Sequence, residues 1–185
     1  MNPSFRFLPL LLLSLLLAAP ATAQDDRPTD SQVLFIISEV RPGTKNVGLI
    51  WGGDVADRDA RMNSLARTAA NLGMTLYLAE INTLTDLAEQ YRQLTREHGV
   101  EVLWVVDPGK TLDTPQSQRF LIESATKSRV PLVAPAATWV QAGAPLTVQK
   151  RDGSIQLAVN EAAAQATSLT IPEKYSATAE VLASN

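Results

Sequence analysis

The sequence contains no cysteine and a single histidine, His98, among its 185 residues. Without cysteine, the chain can form no disulfide and carry no lipid-modified cysteine. One histidine provides no cluster for a metal, and no G-x-S-x-G segment or calcium-loop spacing is present. The sequence therefore predicts a protein that is not an enzyme and that holds no metal and no cofactor.

Clusters of basic residues are also missing. The 16 lysines and arginines are outnumbered by 19 aspartates and glutamates, which gives a net charge of -3. Surfaces that bind nucleic acid or anionic membranes are rich in positive charge. We therefore expect neither nucleic acid nor a membrane surface as a partner.

The first 23 residues have the pattern of a secretory signal peptide. A positive charge at Arg6 precedes an apolar run from Phe7 to Ala19, and small residues follow at 21–23. This run is shorter than the roughly 20 apolar residues that a transmembrane helix needs. We expect cleavage after Ala23, no membrane insertion afterwards, and a periplasmic location.

The remaining chain has the length of one ordinary domain. Residues 24–30 are polar, contain a proline and are expected to form a flexible lead-in. Residues 171–185 have only a weak pattern and are expected to form a loosely docked or frayed tail. These boundaries leave residues 31–170 for a single folded unit.

Two periodicities alternate through this unit. Short apolar runs, rich in β-branched or aromatic residues, predict five strands at 46–51, 74–81, 100–107, 130–135 and 144–149. Helical spacing predicts helices at 59–73, 83–99, 114–128 and 154–169. Gly73 and Gly99 stand where the first two of these helices should end. Strands that alternate with helices predict a parallel sheet covered on both faces.

The segment 31–43 is ambiguous. Its β-branched residues suggest a strand, but apolar residues at 33, 36, 37 and 40 fit one face of a helix. Asp30 or Ser31 is available as the N-cap, and Pro42 with Gly43 would stop the helix. We favour a short helix.

Ligands of open parallel sheets bind beyond the carboxyl ends of the strands. The loops predicted at this edge are 52–57, 81–85, 107–113, 135–139 and 150–154. In the first loop, Gly52 and Gly53 do not have the spacing of a phosphate-binding motif, and the acidic residues after them, beginning with Asp54, disfavour a phosphate. The glycines either contact a different ligand or only connect a strand to a helix.

The third and fourth loops offer further alternatives. Asp107 could accept a hydrogen bond from a ligand amine or hydroxyl, but Asp-Pro-Gly is also a common turn sequence. Trp51 and Trp139 could stack on a flat ligand, or they could belong to the core or its rim. Thr138, beside Trp139, is a further candidate for ligand contact.

Several segments together resemble a known family. They are SEVRPGTKNVGLIWGG, ARTAANLGMTLYLAEINTLTDL, VEVLWVVDPGKTLDTPQSQRFLIESATKSRVPLVAP and WVQAGAPLTVQKRDGSIQLAVNEAAA. In order and spacing, these segments resemble the substrate-binding proteins of ABC transporters, of the tryptophan/tyrosine type. The resemblance covers most of the chain after the signal peptide, and its motifs include the R-P-G turn and the V-E-V-L-W-V-V-D-P strand.

The resemblance implies the type I periplasmic-binding-protein fold. We therefore expect a three-layer α/β sandwich with a five-stranded parallel sheet of flavodoxin-like order 2-1-3-4-5. Proteins of this type have two similar lobes that close on a ligand, whereas this chain suffices for one lobe. It also departs from the family at 150–155, where KRDGSI replaces an aromatic residue and a glycine.

Three functions remain open. The first is reversible binding of a small, amino-acid-like solute, alone or by pairing with a second copy. The second is an interaction module that docks onto an envelope protein, such as a transporter component or a sensor, and binds no ligand. The third is an enzyme on this sheet, which we favour least because the sequence shows no nucleophile-and-base set and no metal set. For the first function, the expected ligand-binding residues are Trp51, Gly52, Gly53, Asp54, Asp107, Thr138 and Trp139.

Overall fold

The structure is a computed structural model that describes residues 27–53 and 57–183, and the statements below concern these residues. The predicted signal peptide, 1–23, lies outside them. Seven strands are present: β1 Asn46–Gly52, β2 Thr75–Ile81, β3 Val102–Asp107, β4 Leu132–Ala134, β5 Leu146–Arg151, β6 Ser154–Val159 and β7 Glu180–Val181. They form one sheet with the order β2-β1-β3-β4-β5-β6-β7.

Helices cover both faces of this sheet. They are α1 Asp30–Val40, α2 Arg58–Asn71, α3 Leu84–Arg92, α4 Gly109–Leu112, α5 Pro115–Ser128, α6 Ala137–Gln141, α7 Glu161–Ala166 and α8 Glu173–Ser176. A π-helical turn, Gln93–Glu97, extends α3. Within the described ranges, no helix has the length and apolar character needed to cross a bilayer.

The predicted sheet is confirmed for its first five strands. They are parallel and have the expected order 2-1-3-4-5. The sheet is nevertheless larger than predicted, because β6 and β7 extend it beyond β5. β6 is antiparallel to β5, and β7 is parallel to β6.

The helix predicted at 154–169 is wrong for its first half. Residues 154–159 form β6, which pairs with β5 from Arg151↔Ser154 to Leu146↔Val159. Asp152 and Gly153 connect the strands with φ values of 51° and 77°. Positive φ at both central residues is typical of a tight hairpin turn, and Asp-Gly is a preferred sequence for it. Residues 150–154 therefore form a hairpin turn between β5 and β6, and no helix follows directly after β5.

The segment 31–43 contains the favoured helix, but its predicted N-cap is wrong. Thr29 caps α1, because its hydroxyl accepts a hydrogen bond from the backbone N–H of Gln32 at 3.3 Å. The Gln32 side chain accepts one from the Thr29 N–H at 2.8 Å. This reciprocal capping box satisfies two N–H groups at the start of the helix. Asp30, one of the predicted caps, is instead the first helical residue.

Two hydrophobic clusters lie on opposite faces of the sheet. On one face, α1 packs between α2 and the C-terminal helices, over a cluster that includes Trp51 and Trp104. On the other face, α3, α4, α5 and α6 enclose a second cluster that includes Leu121 and Trp139. Side chains that alternate along β1, β2, β3 and β4 supply both clusters, as expected for a sheet that is covered on both sides.

The segment 171–183, predicted as a tail, contains α8 and β7. Tyr175 donates its hydroxyl hydrogen to Glu39 of α1 at 2.7 Å, and Lys174 forms an ion pair with the same glutamate. The Leu182 N–H donates to the carbonyl of Val159 at 2.8 Å. These contacts join the end of the described chain to α1 and to β6.

The end of β1 meets the loop after β3 at very short range. A Cβ atom at Gly52 would lie 2.0 Å from the carbonyl oxygen of Pro108, and one at Gly109 would lie 1.7 Å from the carbonyl oxygen of Gly52. Real Cβ atoms do not approach backbone atoms this closely, so only glycine fits at both positions. Gly53 differs, because its φ is +84° but no atom of the described residues beyond its chain neighbours lies within 4 Å of a Cβ built on it.

We expect Gly52→Ala to destabilise the fold by about 3 kcal/mol, because the backbone of the β3–α4 loop must move. Gly53→Ala is the matched control, and we expect it to cost about 1 kcal/mol, since it meets only the conformational penalty of positive φ. Urea denaturation of both variants measures the difference. Equal losses, or a larger loss for Gly53→Ala, would contradict the proposed backbone contact.

Glu101, the residue just before β3, fixes the start of β1. One carboxylate oxygen accepts hydrogen bonds from the backbone N–H groups of Lys45 at 2.6 Å and Asn46 at 3.0 Å. The Lys45 N–H contributes most to lowering the pKa of Glu101 below its ordinary value of 4.5, and burial opposes this shift. Because the folded state lowers this pKa, the carboxylate stabilises the fold above pH 4.5 and loses that effect as the pH falls through the folded-state pKa.

We expect Glu101→Gln to remove part of the acid sensitivity of the protein. The wild type should lose more stability than the variant between pH 5 and pH 3, measured by urea denaturation at each pH. Glu89→Gln, at an exposed position on α3, is the control and should retain the wild-type slope. Identical slopes for Glu101→Gln and wild type would show that the two N–H contacts do not matter energetically.

Candidate functional site

A cavity of about 430 Å³ opens at the carboxyl ends of β3 and β4. Its apolar wall is formed by side chains of the cluster beneath α1, namely Val33, Trp104, Val133 and Val148. Polar residues surround this wall at the edge of the sheet. An apolar surface with a few polar groups at its rim is typical of sites that bind small molecules.

The first turn of α1 and the segment before it form one side of the cavity. Arg27, Pro28 and Asp30 line it, together with Arg61 from the facing helix α2. Two hydrogen bonds join the Arg61 guanidinium to the Asp30 carboxylate, from Nη2 to Oδ1 at 2.7 Å and from Nε to Oδ2 at 2.9 Å. The cavity thus contains a bidentate ion pair in its wall.

Several neighbouring groups favour the charged form of Arg61. The hydrogen bond to Asp30 raises the pKa of its guanidinium, partial burial opposes the shift, and the negative charges of Asp30 and Asp107 raise the pKa further. The guanidinium carbon also lies 5.6 Å from the centre of the Trp51 ring. This distance permits a cation–π interaction, which keeps the charge against a buried aromatic face.

Asp107 lies at the carboxyl end of β3 and borders the same cavity. Its Oδ1 accepts a hydrogen bond from the backbone N–H of Gly109 at 3.0 Å, which closes the turn through Pro108. The residue therefore has the turn role that was one of its two alternatives. Its half-buried carboxylate also places a negative charge at the cavity, so the second alternative stays a prediction.

The loop after β4 provides another side of the cavity. Pro135, Ala136, Thr138 and Trp139 line it, and the last two belong to α6. Thr138 is exposed, whereas Trp139 is only 1% exposed and packs into the cluster on the far face. Of these two predicted ligand residues, Thr138 has the more accessible side chain.

Three further predicted ligand residues, Trp51, Gly52 and Gly53, do not border the cavity. Trp51 is fully buried, Gly52 contacts the β3–α4 loop, and the Gly53 N–H donates to the carbonyl of Ile81 at 3.0 Å. Asp54 lies outside the described residues. The structure therefore brings together Asp107, Thr138 and Trp139, while Trp51 reaches this group only through Arg61.

Trp51 contributes to the site from beneath. Its indole ring lies in the cluster under α1 and α2, and its Nε1 has no hydrogen-bond acceptor among the residues that the structure describes. On the cavity side, the ring packs against the guanidinium of Arg61. In the described structure, Trp51 therefore contacts the cavity only through Arg61.

Residue patterns did not reveal Asp30, Arg61 or Arg27 as site residues. Arg61 lies in the polar part of an amphipathic helix, and its partner Asp30 is 31 residues away, so no local spacing connects them. The available signal was indirect, because α2 begins directly after the first predicted cleft loop. A residue one turn into that helix reaches the same edge of the sheet.

The arrangement supports recognition by charge and by apolar contact. Beside an apolar wall, it combines two arginines with three carboxylates, namely Arg27, Arg61, Asp30, Asp107 and Asp113. In the described ranges, no group of three or more histidine or acidic side chains is placed to hold a metal ion. These groups can hold a small molecule of mixed charge without making or breaking a covalent bond.

Solved structures with the same fold come from several bacteria. A conserved domain protein from Vibrio cholerae matches with a TM-score of 0.67 and 19% identity, over 84% of this chain and 60% of its own. An ABC domain in complex with L-Trp from Streptococcus pneumonia matches with a TM-score of 0.66 and 17% identity, over 83% and 62%. A ligand-free, open substrate-binding protein with adhesive properties from Clostridium difficile matches with a TM-score of 0.67 and 15% identity, over 86% and 61%.

These similarities establish the fold, and the chain spans about three fifths of the length of each of these proteins. A search of curated proteins gives no match to the sequence. The family model described as ABC transporter substrate binding protein matches residues 22–152, which is more than half of the chain. Together with the fold, that match shows that the chain belongs to the family of non-catalytic substrate-binding proteins of ABC transporters.

Proposed function

We propose that this lobe binds a small, amino-acid-like solute reversibly in the cavity at the carboxyl ends of β3 and β4. The observation that carries the proposal is the cavity itself, whose volume of about 430 Å³ falls within the range of roughly 300–1,000 Å³ for small-molecule sites. A solute of this class has an ammonium group, a carboxylate and an apolar side chain. The cavity offers groups of complementary character for all three.

Asp107 would receive the ammonium group of the solute, and Thr138 would donate or accept a hydrogen bond at the rim. The apolar part would lie against Trp104 and Val133, with Trp139 behind the rim. Gly52 and Gly53 do not border this cavity and Asp54 lies outside the described residues, so the ligand role expected of these three residues stays a prediction. No step requires chemistry, since binding and release are sufficient for a substrate-binding protein.

The location and assembly of the protein belong to the same proposal. Substrate-binding proteins of ABC transporters work outside the cytoplasm, which agrees with the signal-peptide pattern of residues 1–23. We propose a periplasmic protein whose lobe binds its solute alone or by pairing with a second copy. The alternative is docking onto a transporter component or a sensor without a ligand.

A thermal-shift screen separates the two functions. The first probes are L-amino acids, beginning with L-tryptophan because the Streptococcus domain was solved with L-Trp, followed by nucleosides and other aromatic solutes. A solute present at one hundred times its Kd should raise the melting temperature by about 5–10 °C, because binding stabilises the native state by mass action. If no probe changes the melting temperature while an envelope protein co-purifies, the interaction function is correct.

Asp107→Asn tests the ammonium contact without disturbing the turn. The side-chain oxygen of asparagine can still accept the Gly109 N–H bond, whereas alanine would lose it. We expect stability within about 0.5 kcal/mol of wild type. The affinity for an amino acid should fall about ten- to a hundredfold, as expected when a charged hydrogen bond is lost.

Asp152→Asn is the matched control for this measurement. It makes the same chemical change in the β5–β6 hairpin, at an exposed residue that does not line the cavity. Isothermal titration calorimetry on both variants should show weaker binding for Asp107→Asn alone. If Asp107→Asn unfolds the protein, or binds as wild type does, Asp107 is only a turn residue.

A further inference from the structure

We propose that Arg61 is the residue that recognises the carboxylate of the solute. The two N–H donors that would bind it, on Nε and Nη2, form the carboxylate-binding edge of Arg61, and Asp30 occupies this edge until a solute carboxylate displaces it. The proposal rests on the proposed solute-binding function and adds a specific residue to it. Asp30 would be an internal competitor that lowers the affinity for every solute with a carboxylate. The first turn of α1 would consequently respond to binding.

The geometry of the Asp30–Arg61 pair is that of a recognised carboxylate. Nε and Nη2 of the guanidinium donate to the two oxygens of one carboxylate, at 2.9 and 2.7 Å. A planar guanidinium offers this pair of parallel donors to any carboxylate, which gives both energy and orientation. The same edge of Arg61 would fit the carboxylate of an amino acid.

Both partners are accessible from the cavity. They line it, and their side chains are 30% exposed for Arg61 and 22% for Asp30. A pair with this exposure is partly screened by water and contributes little to stability compared with a buried pair. A solute carboxylate can therefore replace Asp30 at a small cost.

The guanidinium has supports that do not depend on Asp30. It lies over the ring of Trp51, which is fully buried. Arg61 itself is fixed in α2, where its backbone N–H donates to the carbonyl of Asp57 at 2.9 Å. The negative charge of Asp107 acts in the same direction as that of Asp30 and favours the charged form of Arg61. If Asp30 leaves, the cation should stay at the cavity.

The helix that carries Asp30 likewise has its own start signal. The Thr29–Gln32 capping box closes the first turn of α1, and the Val33 N–H donates to the carbonyl of Thr29 at 3.1 Å. None of these bonds uses the Asp30 side chain. Asp30 can therefore exchange its partner while α1 remains a helix.

An alternative role for the pair is purely structural, as a clamp between α1 and α2. A second contact, between the hydroxyls of Ser31 and Thr68 at 2.9 Å, already joins these helices. The two roles, a clamp between the helices and a carboxylate-binding edge on Arg61, lead to different experimental results. A clamp would lose stability on substitution but would give Arg61 no response to added carboxylates.

Acetate tests the carboxylate edge without any knowledge of the solute. Asp30→Asn is heated in sodium acetate and in sodium chloride at equal ionic strength, and Asp30→Asn/Arg61→Lys serves as the matched control. The control keeps the positive charge but loses the bidentate edge, and it also corrects for general salt effects on stability. At 200 mM, acetate should raise the melting temperature of Asp30→Asn by about 2 °C more than that of the control, for a Kd on the order of 100 mM.

A second measurement compares an L-amino acid with its carboxamide, by calorimetry with L-tryptophan and L-tryptophanamide as the probes. Asp30→Asn should bind the amino acid about fivefold more tightly than wild type does, because the competitor is gone. Binding of the amide should not change. Arg61→Lys should lose most of the preference for the amino acid over the amide.

The outcomes distinguish this inference from the proposed function. If acetate stabilises Asp30→Asn no more than the control, Arg61 is not a carboxylate-binding residue, whatever solutes bind. If acetate stabilises Asp30→Asn as expected while neither tryptophan nor other amino acids bind, Arg61 does bind carboxylates. The proposal that the solute is amino-acid-like is then wrong. If Asp30→Asn weakens the binding of tryptophan, Asp30 is a structural clamp and not a competitor.

Discussion

Two backbone segments meet without a side chain between them where β1 ends and the β3–α4 loop passes. The contact joins Gly52 to Pro108 and Gly109, and neither glycine has space for a Cβ atom. Because β1 and β3 are neighbours in the sheet, this contact fixes how far the loop after β3 can extend over the carboxyl edge. It thereby sets the position of Asp107, whose carboxylate closes the same turn onto Gly109.

The cavity depends on this loop and on α1 together. α1 is tied to α2 through Asp30 and Arg61, and to the C-terminal part of the described chain through the Arg41 Nη1 bond to the Thr167 carbonyl at 2.8 Å. The Thr170 N–H also donates to the carbonyl of Val40 at 2.9 Å. One end of α1 is therefore anchored within the fold, while its other end forms a wall of the cavity.

The sequence patterns predicted those elements whose local signals agree with their surroundings. α2, α3 and α5 have helical spacing with recognisable ends, and Gly73 and Gly99 have the positive φ of a C-terminal position. β6 was missed because Ile155, Leu157 and Val159 fit a strand, whereas Ile155 with Ala158 or Val159 also fits a helix. The Asp152-Gly153 pair was the decisive signal, since it is typical of a hairpin.

The site was harder to predict than the fold, for a physical reason. Asp107 and Thr138 could be placed at the cavity from the sequence because the ends of parallel strands meet at one edge, which is a rule of the fold class. For Trp51 the sequence left ligand contact and the core as alternatives; the ring is buried beneath Arg61, and this burial depends on how α1 and α2 cover the sheet. The Asp30–Arg61 pair needs that same packing, so it has no signature in the local sequence.

The hairpin also changes which part of the edge is available for binding. A strand-to-helix loop at 150–154 would have lain beside the loop after β4, but the tight turn sends β6 back along the sheet instead. Residues 150–154 consequently do not line the cavity, and its boundary is completed by the α1 side. The cavity is thus bordered by two loops and two helices and not by the strand loops alone. Since one of these helices contributes its own carboxylate to that surface, the proposed solute would have to compete with the fold for the cation at Arg61.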